Sequence, residues 1–181
     1  MIPKNYTSEG IVLARKNYSE ADRILIVFSE KYGKLSLLAK GVRRLKSRKR
    51  AHVEIFNRIN FSATSGKGLD IITEAEVIDT FSDIKNNLKK VTVAYFFAEV
   101  TGRMIREGES HPEVYRNLRL FLEKLRTKEL LKSVRKEYIF IILVSLGFWP
   151  QDKNLSDPDR VLDEILERPQ SSARVGKRLL M

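Results

Sequence analysis

From Tyr6 to Thr80 the apolar residues fall in short clusters separated by turn residues, a pattern of strands rather than helices. Gly10 to Lys16 (GIVLARK) opens on an apolar core, and Asp22 to Phe28 (DRILIVF) is rich in the β-branched residues that strands favour. Between them NYSEA reads as a turn. KYGK, with Gly33 free to take positive φ, predicts a second turn, and Leu35 to Ala39 (LSLLA) a third strand, completing a meander. His52 to Thr64 (HVEIFNRINFSAT) alternates imperfectly: Val53, Ile55 and Ile59 compete with Phe56 and Phe61 for the inward side. That break in phase predicts a bulge near Asn57. SGKG is a hairpin turn, and Leu69 to Ile78 (LDIITEAEVI) returns as a fifth strand. Five short antiparallel strands with tight turns predict a small closed barrel of the five-stranded Greek-key kind, the OB-fold, which removes exposed edges economically.

Near Asp83 the period changes to that of a helix. Leu88, Val91, Tyr95, Ala98 and Ile105 predict one helix from Asp83 to Gly108, and Val114, Leu118, Phe121, Leu122 and Leu125 an amphipathic second from Pro112 to Leu125. A third, Lys128 to Leu146, starts charged and becomes almost wholly apolar (YIFIILVSL), so its second half is expected to be buried all round. Gly147 ends it. A short helix from Pro158 to Glu167 follows, then a break at Pro169 and a basic segment, SARVGKRLL. The fold class is therefore α+β: an OB-fold barrel over residues 1–81 followed by a helical domain over 82–181.

Charge adds what the pattern alone does not carry. The 181 residues include 34 Lys and Arg against 23 Asp and Glu, a net charge of +11, which favours an anionic partner such as nucleic acid. Seven of these cations stand in one run of eleven residues, KGVRRLKSRKR, between the third and fourth strands. Lys40, Arg43, Arg44, Lys46, Arg48, Lys49 and Arg50 are thus displayed by a connection inside a folded unit, where many such barrels insert a helix. Each is a candidate to neutralise a backbone phosphate, which carries no sequence code. Arg15, Lys34 and the hairpin-tip Lys67 are candidates to extend that groove. The bland alternative is a solvated loop or a targeting signal.

Other chemistry is thinly supported. The chain has no cysteine and its two histidines, His52 and His111, are far apart, so metal binding is not expected and disulfides are excluded. A nucleotide-phosphate loop is missing: neither Gly66-Lys67-Gly68 nor Gly176-Lys177-Arg178 fits the pattern. Glu20 with Asp22, or Glu74 with Glu76, would serve a magnesium-dependent nuclease, but nothing nearby supplies a nucleophile, and the expected class is not an enzyme. No cofactor is expected. Tyr18 and Tyr32, in turns, are candidates to stack on bases, whereas most other aromatics are expected in cores; Phe148-Trp149-Pro150 is a candidate partner-binding corner. The first ten residues lack an apolar leader, and the run Tyr138 to Trp149 is too short for a bilayer, which takes about 20 residues. The expectation is a soluble, cytoplasmic protein without a membrane partner.

The run GIVLARKNYSEADRILIVFSEKYGKLSLLAKGVRR resembles the amino-terminal signature of the RecO family of bacterial recombination mediators. KSRKR, GKGL and TEAEVID fall in the same order, and AYFFAEVTGRMIREGE, FLEKL and LGFWP extend the likeness more weakly into the helical half. The resemblance implies an oligonucleotide-binding barrel and a helical domain. It also implies binding of single- and double-stranded DNA, annealing of complementary strands, and work with RecR and single-stranded DNA-binding protein to load RecA. Many members carry a four-cysteine zinc ribbon after the GF.P corner. Here QDKNLSD and a short helix stand in its place, and the carboxy-terminal part looks shorter than usual. An RNA-binding, ribosome-associated role fits the same charge and barrel.

Overall fold

In the computed structural model, which describes residues 2–47 and 51–166, β1 (Asn5–Tyr18) is long enough to serve two neighbours. Its first half pairs antiparallel with β4 (Arg58–Thr64), and its second half with β2 (Asp22–Ser29). The shift from one partner to the other coincides with a register irregularity between Val12 and Ala14, where an extra residue increases local twist. β2 pairs with β3 (Gly33–Ala39), β4 with β5 (Asp70–Asp79), and a short parallel pairing of β3 with β5 closes the barrel in the order β1-β2-β3-β5-β4. This is the five-stranded OB-like barrel expected.

Alternation fills its interior. Tyr6 and Val12 from β1, Leu25 and Val27 from β2, Leu35, Leu37 and Ala39 from β3, Ile59, Phe61 and Ala63 from β4 and Ile72 from β5 form one buried cluster. Val42 and Val53, both fully buried, complete it from the β3–β4 connection. Each such aliphatic side chain removed from water contributes about 1.5–3 kcal/mol.

The fourth strand differs from expectation. Residues 51–56 form turns, and β4 begins only at Arg58. Phe56 has φ 70°, and the Asn57 side-chain amide donates to the carbonyls of Ala51 and His52, both at 2.9 Å, which holds the chain in a curl instead of a ladder. The register irregularities of β4 follow, between Arg58 and Ile59 and between Ser62 and Ala63.

The helices are α1 (Ser82–Lys85), α2 (Leu88–Met104), α3 (Pro112–Thr127), α4 (Leu131–Ser145) and α5 (Pro158–Leu166). The single first helix expected from Asp83 to Gly108 is interrupted because Asn87 caps a new start, its Oδ1 accepting from the amides of Lys89 and Lys90 at 3.1 Å. Phe97, Phe121 and Tyr138 centre the helical core, with ring centroids 4.1 Å apart for Phe97 and Tyr138 and 5.2 Å for Phe121 and Tyr138. The Tyr138 hydroxyl is bonded to Thr101, so its burial leaves no polar atom stranded. α4 is less enclosed than its sequence predicts, for Phe140, Ile141 and Val144 are only half-buried. Among the described residues no helix is long and apolar enough to cross a membrane.

The chain divides into two compact units, one running to Phe81 and regaining Ile105–Pro112, the other comprising Ser82–Met104 and the residues from Glu113. The returning segment lies along β3. Lys34 and Glu107 form a parallel bridge, the Gly108 amide donates to the Lys34 carbonyl at 2.9 Å, and the Ser36 amide donates to Glu107 Oε1 at 2.9 Å.

Candidate nucleic-acid interface

The connection after β3 is shaped by its anchors. Gly41 takes φ 66°, and its amide donates to Asp22 Oδ1 at 2.7 Å. The next amides follow suit: Arg43 N–H donates to the Ala21 carbonyl at 2.9 Å and Arg44 N–H to the Gly41 carbonyl at 3.1 Å. Val42 turns inward and is fully buried. With the valine committed to the core, Lys40, Arg43, Arg44 and Lys46 are all left exposed around it. Asp22 is therefore occupied as a turn anchor. Replacing it with alanine is expected to destabilise the protein by about 1–2 kcal/mol, seen as a lower urea midpoint and faster exchange of the Gly41 amide.

One of these cations, Arg43, meets the tip of the β1–β2 hairpin. The Arg43 guanidinium donates to the Ser19 carbonyl at 3.0 Å, which fixes the basic turn beside residues 17–21. Directly opposed residues share a face of a sheet, so the register Lys16↔Ile24↔Leu38 and Tyr18↔Asp22 defines an outward row on β1, β2 and β3. Lys16 is exposed, Ile24 and Leu38 are half-buried, and the Tyr18 ring is 52% exposed. The outward face of β2–β3 and the β1–β2 loop are where barrels of this kind take oligonucleotides. Lys16 was missed by sequence reasoning, although its two-residue spacing from Tyr18 was the available signal.

The remaining candidates are distributed differently. Arg48, Lys49 and Arg50 lie outside the described residues. Arg15 is ion-paired with Glu54, which also binds Arg23 at 3.3 Å. Lys34 is half-buried beside the returning segment; burial lowers its ammonium below the ordinary pKa, with the Glu107 carboxylate acting in the opposite sense. Lys34 also stands at the Gly33 end of β3, about 20 Å along the strand from Lys40. Lys67 is exposed in the β4–β5 hairpin. Since β5 runs parallel to β3 from Leu37↔Asp70 onward, that hairpin extends toward the Lys34 end. The structure thus groups Lys40, Arg43, Arg44 and Lys46 with Lys16 and Tyr18, and separates Lys34 and Lys67 from them.

The other side of the barrel has the opposite charge. Glu9, Glu74 and Glu76 line a shallow groove across β1, β4 and β5 with Thr7, Asn60, Ser62 and Lys31. Glu9 is paired with Arg58 at 3.4 Å. Among the described residues no group of three or more His, Cys, Asp or Glu side chains is placed to hold a metal ion. Tyr32 is not a free platform, because its ring packs edge-on against Tyr6 at 4.9 Å. In the helical unit the Trp149 indole N–H donates to the Lys153 carbonyl at 3.0 Å, while Phe148 is 51% exposed.

Residues 1–81, the barrel sequence, match the family model described as Recombination protein O N terminal. Similarity to curated proteins continues into the helices. The chain is 27% identical over 163 residues to a DNA repair protein RecO of Roseiflexus sp. (strain RS-1), which covers 90% of this chain and 57% of that protein. It is 32% identical over 141 residues to the DNA repair protein RecO of Geobacter metallireducens, covering 78% of this chain and 58% of the relative.

The chain belongs to the RecO family.

It spans about half the length of the curated RecO proteins it matches: 57%, 46% and 58% of those from Roseiflexus, Moorella thermoacetica and Geobacter. This RecO-family chain has no cysteine, so it holds no cysteine-ligated zinc ribbon. The residues after the GF.P corner are instead a polar loop followed by α5.

Proposed function

We propose that this RecO-family chain is a DNA-binding protein of recombinational repair, which binds single- and double-stranded DNA and anneals complementary strands. The observation that carries the reading is the anchored turn with exposed Lys40, Arg43, Arg44 and Lys46 beside Lys16 and Tyr18 on the face of an OB-like barrel. Annealing needs a surface that screens two phosphate chains while leaving base edges free. Point-charge contacts to phosphate do that, and a half-exposed tyrosine adds sequence-tolerant stacking of about 1–3 kcal/mol per base. The relatives' name, DNA repair protein RecO, supports repair as the setting. On this reading its partners are RecR and single-stranded DNA-binding protein, with RecA loaded indirectly, in the cytoplasm. The protein acts by binding rather than by bond making, and needs no cofactor.

The test is direct competition between an unstructured DNA oligonucleotide and a structured RNA at matched salt, run beside an annealing assay with complementary DNA strands. Preferred binding of DNA with accelerated annealing is expected. Preference for the RNA with no acceleration would transfer the chain to the RNA-binding class.

A further inference from the structure

Arg15, Arg23 and Glu54 form a cluster that the exposed turn does not explain. The Arg15 guanidinium contacts Glu54 Oε2, and Arg23 Nη1 donates to Glu54 Oε1 at 3.3 Å, so the two guanidinium groups converge on the two oxygens of one carboxylate. Arg23 Nε further donates to Asn17 Oδ1 at 3.3 Å. Register places Arg15 and Asn17 opposite Leu25 and Arg23, on the face of the β1–β2 hairpin away from Lys16 and Tyr18. The side chains of Arg15 and Glu54 are 31% and 34% exposed, so solvent reaches that pair, while Arg23, 13% exposed, is the more enclosed of the two arginines. The backbone under Glu54 is fixed, since its carbonyl accepts from the Asn57 amide at 3.1 Å and Asn57 ties down Ala51 and His52. None of these bonds involves the Glu54 carboxylate.

We propose that this cluster is a second phosphate site, held closed by Glu54, in which a nucleic-acid phosphodiester replaces the carboxylate between Arg15 and Arg23. Two cations facing one acid keep a net positive charge in the cluster, and arginine's planar fork donates to a phosphate in the geometry in which it donates to a carboxylate. Register puts the cluster on the face that carries the buried Leu25 and Ala39, near the tip of the hairpin, so the site is separate from the outward row beside Tyr18. Glu54 sets the threshold for using it. The identity of the ligand as nucleic acid rests on the DNA-binding reading above, but the anion site does not.

The test compares the wild-type chain with Glu54→Gln and with Glu54→Gln carrying Arg15→Ala and Arg23→Ala. Sodium pyrophosphate is titrated while the side-chain Nε–H resonances of Arg15 and Arg23 are followed, and binding of an oligothymidylate is measured across salt. In Glu54→Gln both arginine signals are expected to move at lower pyrophosphate than in wild type. The salt slope for the oligonucleotide should steepen by up to about 1.4, two contacts at about 0.7 each, which is about tenfold in affinity near physiological salt. The triple variant should lose the gain. Arginine signals unmoved by pyrophosphate in Glu54→Gln, with an unchanged slope, would mean that the cluster only ties the 51–56 turn to the hairpin, and would overturn the proposal. If Glu54→Gln does not fold, the wild-type titration decides, because a closed site still yields shifts of both arginines at high pyrophosphate and a purely structural cluster does not. Pyrophosphate shifts without oligonucleotide binding by any form would sink the DNA reading and keep the anion site.

Discussion

Replacing Lys40, Arg43, Arg44 and Lys46 together with alanine is expected to weaken binding of a single-stranded oligonucleotide by about two orders of magnitude at physiological salt, with the barrel still folded. Each phosphate neutralised on a single strand contributes about 0.7 to the slope of log K against log salt, so four contacts make about 2.8. The fold should survive because all four side chains are exposed, while the anchors of the turn are main-chain amides and the buried Val42. Among the described residues, the side-chain bond that the substitution removes is the one from Arg43 to the Ser19 carbonyl. Anisotropy of a labelled oligonucleotide across a salt series measures the slope, and circular dichroism reports folding. A folded variant with the slope of the wild type would remove the turn from the interface.

Gly33→Ala is expected to destabilise the protein by about 2–4 kcal/mol and to release the segment that returns to β3. Gly33 has φ 72°, and a Cβ placed on it would stand 1.8 Å from the Glu109 carbonyl oxygen. The conflict is with main chain, which no rotamer relieves. Alanine in the left-handed region costs about 1–2 kcal/mol, and freeing the segment forfeits the Gly108 to Lys34 and Ser36 to Glu107 hydrogen bonds, each worth about 1 kcal/mol net. Urea unfolding gives the total. Hydrogen exchange locates it: the amides of Gly108 and Ser36 should lose protection well before that of Leu37, and a uniform change would contradict the local account.

The strands were legible because a barrel wall buries one side only, so two-residue alternation is written directly into β2 and β3. The start of β1 was not, since Ser8 is buried by bonding to Ser29 at 2.9 Å and hydropathy has no mark for a satisfied serine. The turns at 51–56 read as strand because Val53 and Ile55, two residues apart, mimic alternation, whereas in the fold Val53 serves as a plug and Phe56 as a corner. Capping by Asn87 likewise split a helix whose apolar spacing runs straight through the break. In the candidate site, charge density along the chain located the exposed turn. It said nothing about pairing: whether Arg15 or Lys34 is free depends on Glu54 and Glu107, which only the closed fold brings near. Tyr18 and Tyr32 look alike as turn residues, and only tertiary contact separates them.

Val42 and Val53 are two posts sunk in the same buried cluster, one at each end of the stretch that holds most of the basic run. A stretch tethered at both ends by apolar side chains can be lengthened or rewritten at small cost, since closing a longer loop adds only about 0.6 kcal/mol per doubling. The barrel therefore carries its most highly charged connection on a span whose length the wall hardly feels, and inserting residues between the two valines is expected to cost the fold little.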